Sequence, residues 1–120
     1  MTTTKTATEI NALLIALEFA EALAAVARTE YDASTIAEDD ACSEYQNLLG
    51  VSIDTSREYA HARVWCKKLL AAHDAAVFML FAANNAVKET ENNRIALSAK
   101  RAAAETAAWD ARLAFSNASR

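Results

Sequence analysis

The amino-acid sequence predicts an all-α protein: a compact antiparallel bundle of three or four helices, Ala-rich and with coiled-coil-like seams. Two observations carry that expectation. The 120 residues hold no proline and one glycine, Gly50, against 30 alanines. Alanine is the strongest helix former, while proline and glycine punctuate turns and hairpins. Apolar residues also recur at alternating spacings of three and four, and strand-type alternation is nowhere sustained. The length suits one core, so residues 1–120 are read as a single helical-bundle domain.

The first helix is expected over residues 6–31. Ile10, Leu13, Leu17, Ala20, Ala24, Ala27 and Tyr31 form its seam. Ile15, Phe19, Ala22 and Val26 form a second apolar row beside that seam, and Glu18, Glu21 and Arg28 mark the wet side. An apolar arc this wide exceeds what one neighbouring helix covers. The helix is therefore central in the bundle or also meets another subunit.

A second helix is expected over residues 35–49, with Ala41, Cys42, Tyr45 and Leu48 inward. Gly50 would end it in the left-handed conformation. The third spans 55–88 and turns Trp65, Leu69, Ala72, Ala76, Met79, Ala83 and Ala86 inward. The fourth spans 93–117 and uses Ile95, Ala99, Ala102, Trp109 and Leu113. The polar stretch VKETENNR, residues 87–94, holds the turn between them, with Asn84–Asn85 as a rival break. Short connections make neighbours antiparallel.

Thr6–Glu9, Thr35–Glu38 and Thr55–Glu58 each read as a capping box, in which a threonine hydroxyl and a glutamate carboxylate satisfy the first free amides of a helix. Glu58 has a second reading. Glu58 and His61 form a Glu-x-x-His pair, the spacing that puts a carboxylate and an imidazole on one helix face for iron or zinc. A complete site needs two such pairs, and only one exists. Capping is the economical account of Glu58, with a metal-carboxylate bundle through Glu58 and His61 as an alternative. No metal or other cofactor is expected. His73, flanked by Leu69, Leu70, Val77 and Leu80, reads as a core-edge histidine.

A single glycine excludes phosphate-binding loops and dinucleotide fingerprints. No serine elbow or local Cys–His pair is present, so an enzyme is not expected. Cys42 and Cys66 lack metal-ligand spacing and read as reduced thiols in a cytoplasmic protein. The lysines beside Cys66, Lys67 and Lys68, could lower its pKa, but a packing role is the simpler account. The longest apolar run, AAVFMLFAA, has nine residues, short of the roughly 20 a spanning helix needs. No membrane partner is expected.

The net charge of −4 argues against a general grip on nucleic acid. Residues 1–60 carry three bases against eleven acids, and residues 61–120 nine bases against five. Such halves complement each other inside one fold or across an antiparallel dimer. The basic strip of Arg57, Arg63, Lys67 and Lys68, with Lys100 and Arg101, lacks interleaved aromatics and reads as a solvated face. Glu38, Asp39, Asp40 and Glu44 form an acidic patch suited to a basic protein partner.

The expectation is a non-enzymatic protein–protein interaction module. It self-associates as a homo-oligomer, a dimer in the simplest case, through Ile15, Phe19, Ala22, Val26, Phe78 and Phe81, and it binds another protein. The alternative is a small acidic inhibitor or decoy, of the kind phages use, acting on a nucleic-acid-handling complex.

Overall fold

The computed structural model describes residues 5–61 and 67–120. Two helices account for nearly all of them: α1, Ala7–His61, and α2, Lys67–Ser119. The chain is a two-helix hairpin, and the expected compact bundle of three or four helices is corrected to that. Both helices, of 55 and 53 residues, far exceed the usual globular length and fall in the range of coiled coils.

Every expected internal break lies inside a helix. Of the three Thr-x-x-Glu signatures only the first is a cap: the Glu9 amide donates to Thr6 Oγ1 at 3.2 Å, and α1 begins at the next residue, Ala7. Thr35 and Thr55 sit in mid-helix. The Thr55 hydroxyl donates to the Ser52 carbonyl at 3.0 Å, the back-bond of a threonine whose own amide is already in the helix. Gly50 does not adopt the left-handed conformation. Asn84, Asn85 and residues 87–94 continue α2 without interruption. The physical reason is that none of these residues breaks a helix strongly. One mid-helix glycine costs only about 1 kcal/mol against alanine, and no proline is present to remove an amide donor.

The chain separates into two compact units, Met1–Ala33 with Ile95–Arg120 (unit 1) and Ser34–Arg94 (unit 2). In unit 1, α1 turns Ile10, Leu13, Leu17, Ala20, Ala24, Ala27 and Tyr31 inward, and all are buried or half-buried. That seam is the one the spacing predicts. Its partner on α2 is Leu97, Arg101, Ala104, Ala108, Ala111, Phe115 and Ala118. The expected fourth-helix seam, Ile95, Ala99, Ala102, Trp109 and Leu113, is exposed throughout and lies on the opposite side. Ion pairs fix the antiparallel register: Glu21–Arg112 at 3.0 Å, Arg28–Glu105 at 3.3 Å and Glu30–Lys100 at 2.9 Å.

In unit 2 the α1 seam runs through Ser34, Glu38, Ala41, Tyr45, Leu48, Ser52, Thr55 and Tyr59. The α2 seam runs through Leu69, His73, Ala76, Leu80, Ala83, Val87, Thr90 and Arg94. Leu69, Ala76 and Ala83 were foreseen as inward. Ala72, Met79 and Ala86 are exposed instead, and His73, Leu80 and Val87 take the alternate places. Cys42, expected inward, is exposed and free. Trp65 and Cys66 lie outside the described residues.

Both seams are polar at one end. In unit 1 the Arg101 guanidinium lies 5.0 Å from the centre of the Tyr31 ring, a cation–π contact. In unit 2 Arg94 pairs with Glu38, both part-buried. Charges at seam positions weaken a coiled coil but fix its register. Arg94→Ala strands the Glu38 carboxylate half-buried and should cost roughly 1–3 kcal/mol, read as a lower midpoint in urea. Gly50→Ala should do the reverse. A Cβ at Gly50 meets nothing within 4 Å, so the variant should gain roughly 0.5–1 kcal/mol and melt at higher temperature. A lower melting temperature would show a left-handed turn there after all.

Candidate interaction surface

The seams leave many of the large apolar residues outside. Among the described residues the buried set is Leu17, Ala24, Ala27, Ala76, Ala83, Ala108 and Ser34, and no large side chain is fully enclosed. An alanine seam brings two helix axes close but covers little else, because each side chain reaches only its immediate neighbours.

In unit 1, Ile15, Phe19, Leu23 and Val26 are between 50% and 66% exposed, and Ala22 between them is exposed as well. Their spacing turns them away from the seam, since Ile15 and Phe19 stand two positions from Leu17, and Leu23 and Val26 one position before Ala24 and Ala27, about 100° to 200° round the helix. On α2 of the same unit, Ile95, Trp109 and Leu113 are exposed. In unit 2, Phe78 and Phe81 reach 75% and 67% exposure, on a helix whose inward places are taken by His73, Ala76, Leu80 and Ala83. All six residues expected to mediate association are therefore accessible. Ile53, Val51 and Met79 are also exposed in unit 2, and nothing in their spacing from the sequence alone set them apart.

The two sides of unit 1 differ in charge. One side carries Glu21–Arg112 and Arg28–Glu105. These pairs border a shallow groove of about 470 Å³, floored by Ala24 and Ala108 and flanked by Ala25 and Trp109. Arg101 and Arg28 donate to Glu105 and, in that order, hold its carboxyl below the usual carboxylate range, against a small opposing effect of desolvation. The other side carries Glu30–Lys100 at one end. One heptad and two heptads further along, α1 presents Leu23 and Ala16, and α2 presents Ala107 and Ala114, all exposed.

The acidic patch is partly spent inside the fold. Glu38 faces Arg94, whereas Asp39, Asp40 and Glu44 are exposed. Asp40, Glu44, Asp54 and Glu58 line one side of α1 in unit 2, two pairs of like charges four residues apart. Of the basic strip, Lys100 pairs with Glu30 and Arg101 with Glu105. Arg57, Lys67 and Lys68 are exposed, and Arg63 lies outside the described residues.

Glu58 and His61 are both exposed in the last turns of α1, so Glu58 is not the cap of a new helix. Among the described residues no group of three or more His, Cys, Asp or Glu is placed to hold a metal ion. His73 is half-buried in the unit 2 seam, its Nδ1 at 3.3 Å from Thr55 Oγ1. Because that hydroxyl gives its proton to Ser52, it accepts from Nδ1–H, which selects that tautomer.

Each helix also contains an 18-residue window apolar enough to cross a membrane by length and composition, only 17% buried in α1 and 11% in α2. The nine-residue run had understated this, since isolated polar residues interrupt the windows without removing their apolar character. No protein-family model matches the chain, and no curated protein or solved structure is similar to it.

The Glu105 cluster sets a pH dependence. A carboxyl held below its ordinary value stabilises the fold above that value, and the contribution disappears as pH falls through the lowered one. Thermal midpoints measured from pH 7 down to pH 3 should fall, and Glu105→Gln should flatten that limb. Equal slopes in parent and variant would remove Glu105 from the acid response.

Proposed function

We propose that the chain is a non-enzymatic protein–protein interaction module, a helical hairpin that self-associates and binds another protein. The observation that carries this reading is the outward placement of large apolar residues: Ile15, Phe19 and Val26 in unit 1, Phe78 and Phe81 in unit 2. Contiguous exposed apolar rows on a soluble chain mark surfaces that another molecule covers. The two-helix pairing deepens the demand, because among the described residues no third element covers the back of either helix.

A cytoplasmic, water-facing setting accords with the charges. The α1 window apolar enough for a bilayer includes charged positions, and Glu21 within unit 1 is bound to Arg112 on α2. A spanning hairpin would carry such pairs into hydrocarbon, where charged side chains are costly.

The alternative of an acidic inhibitor or decoy draws on Asp39, Asp40 and Glu44, which stay exposed, and on Asp54 and Glu58 further along α1. Such a docking surface would bind a basic protein with an affinity that collapses in salt, whereas apolar association persists.

Phe19→Lys and Phe78→Lys, made singly, should each retain helical circular dichroism, since both residues are exposed. At least one should lower the mass seen by light scattering, and the parent assembly should survive 1 M NaCl. Unchanged mass in both variants would reject these rows as the interface.

A further inference from the structure

We infer that the side of unit 1 carrying Leu23 and Ala107, away from the groove, is the interface with a second copy of this chain, the two hairpin segments closing there into a four-helix bundle. This rests on the self-association proposed above and names the face and the partner. On α1, Ala12, Ala16, Phe19, Leu23 and Val26 recur at spacings of four and three, and all five are exposed. That is a second seam with the same period as the inward one. At 100° per residue the two seams lie about 100° apart round the helix. A helix in a four-helix bundle contacts two neighbours about a right angle apart, so this offset fits a bundle helix that has found only one of its two neighbours.

The second helix of the hairpin continues the face. The Glu30–Lys100 pair shows which sides of α1 and α2 adjoin. Stepping one and two heptads from it brings Leu23 and Ala16 on α1 alongside Ala107 and Ala114 on α2. The face is therefore two helices wide. Its small residues on α2 leave room for the large ones of α1, and a two-fold axis would set Phe19 and Leu23 of one copy against Ala107 and Ala114 of the other. Asp110, three residues from Ala107 and four from Ala114, is an exposed charge within that α2 row.

Charge and apolar surface both favour a second copy. Unit 1 holds six Lys or Arg and seven Asp or Glu, a net of −1, so two copies meet without appreciable repulsion. Its ion pairs Glu21–Arg112 and Arg28–Glu105 lie on the opposite side, and the proposed face carries the Glu30–Lys100 pair at one end and the exposed Asp110. Phe19, Leu23 and Val26, with the exposed alanines of both helices around them, offer an extended apolar face, to be set against the half-share of about 800 Å² in a standard stable interface. A lipid surface is the weaker match, because amphipathic membrane helices border their apolar face with lysine and arginine. Here the charges that border the face are the Glu30–Lys100 pair and Asp110, with no excess of basic side chains.

The test is sedimentation equilibrium on the full chain with three variants: Leu23→Glu, Ala107→Glu and Ala25→Glu. The first two place a carboxylate on the proposed face from different helices; the third places one on the groove side. All three positions are exposed, and circular dichroism checks that helicity is kept. The parent should sediment at twice 13.0 kDa. Leu23→Glu and Ala107→Glu should each weaken the dimer at least 100-fold, and Ala25→Glu should leave it unchanged. A dimer that survives both face variants overturns this assignment while self-association itself stands, through another row. A parent that stays monomeric at high micromolar concentration overturns both. A monomeric parent that floats with vesicles of phosphatidylcholine and phosphatidylglycerol overturns both and makes the face a lipid surface.

Discussion

The close approach of two helices through small side chains is the constraint from which the other features follow. In unit 1 the tightest burial is at Ala24, Ala27 and Ala108, and in unit 2 at Ala76 and Ala83. Alanine layers permit short interaxial distances, and each removes little apolar area from water, whereas hydrophobic stabilisation scales with that area. Ordering more than a hundred helical residues opposes folding through backbone entropy. A seam of alanines with Leu17 as its one well-buried large residue is a thin source of compensation. Ion pairs along the flanks contribute little each, because exposed pairs are worth at most about 1 kcal/mol. The large apolar residues hold the remaining potential, and they point away from the seam.

The polar ends of the two seams serve selectivity more than strength. An all-alanine pairing has shallow preference for any one register, since sliding by a heptad matches small residue to small residue again. Arg94 opposite Glu38 and Arg101 over Tyr31 remove that degeneracy. Each leaves a charged or aromatic group unpaired if the helices slip, which is how single polar seam residues specify register elsewhere. The charge asymmetry between the chain's halves has the same use. Glu21, Glu30 and Glu38 on α1 meet Arg112, Lys100 and Arg94 on α2, and only Arg28–Glu105 runs the other way. The complementarity legible in the composition is thus spent within each unit.

The sequence made the helical class and the first seam plain, because residues 10–31 combine strong periodicity with large apolar residues. Ala41, Tyr45, Leu48, Leu69, Ala76 and Ala83 also face inward as the spacing predicts, but the helix ends and much of the α2 seam were misplaced, for two physical reasons. Signals such as Thr-x-x-Glu, a lone glycine or an asparagine pair favour a helix end only when the local gain exceeds what continuing the heptad frame provides. Here Glu38 gains more from Arg94 than from capping, and Gly50 stays in step. Size is also a poor guide to burial in an alanine coil. Ile95, Trp109 and Leu113 are all large apolar residues, yet they are exposed while Arg101 and Ala104 face inward beside Leu97. Reading the seven-residue spacing forward from Ala76 and Ala83 reaches Thr90, Leu97 and Ala104, and that continuity was the available signal. The outward row on α1 was legible, since an apolar arc too wide for one neighbour shows in the periodicity itself.

This inversion of size and burial has a consequence for what the hairpin can do alone. A chain selected only to fold as an isolated pair of helices would place Phe19, Phe78, Phe81 and Trp109 on the seam and spend alanine on the outside. With the arrangement reversed, the seam fixes how the two helices align, and the outward rows supply most of the apolar area that remains to be buried. Alignment is then set within one chain by alanine packing and a few charges. On the self-association proposed above, cohesion would come from contacts that a single hairpin does not make, and folding and association would share one free-energy balance. On that reading, substitutions on the seam should disturb register and association together, while substitutions on the outward rows disturb association first.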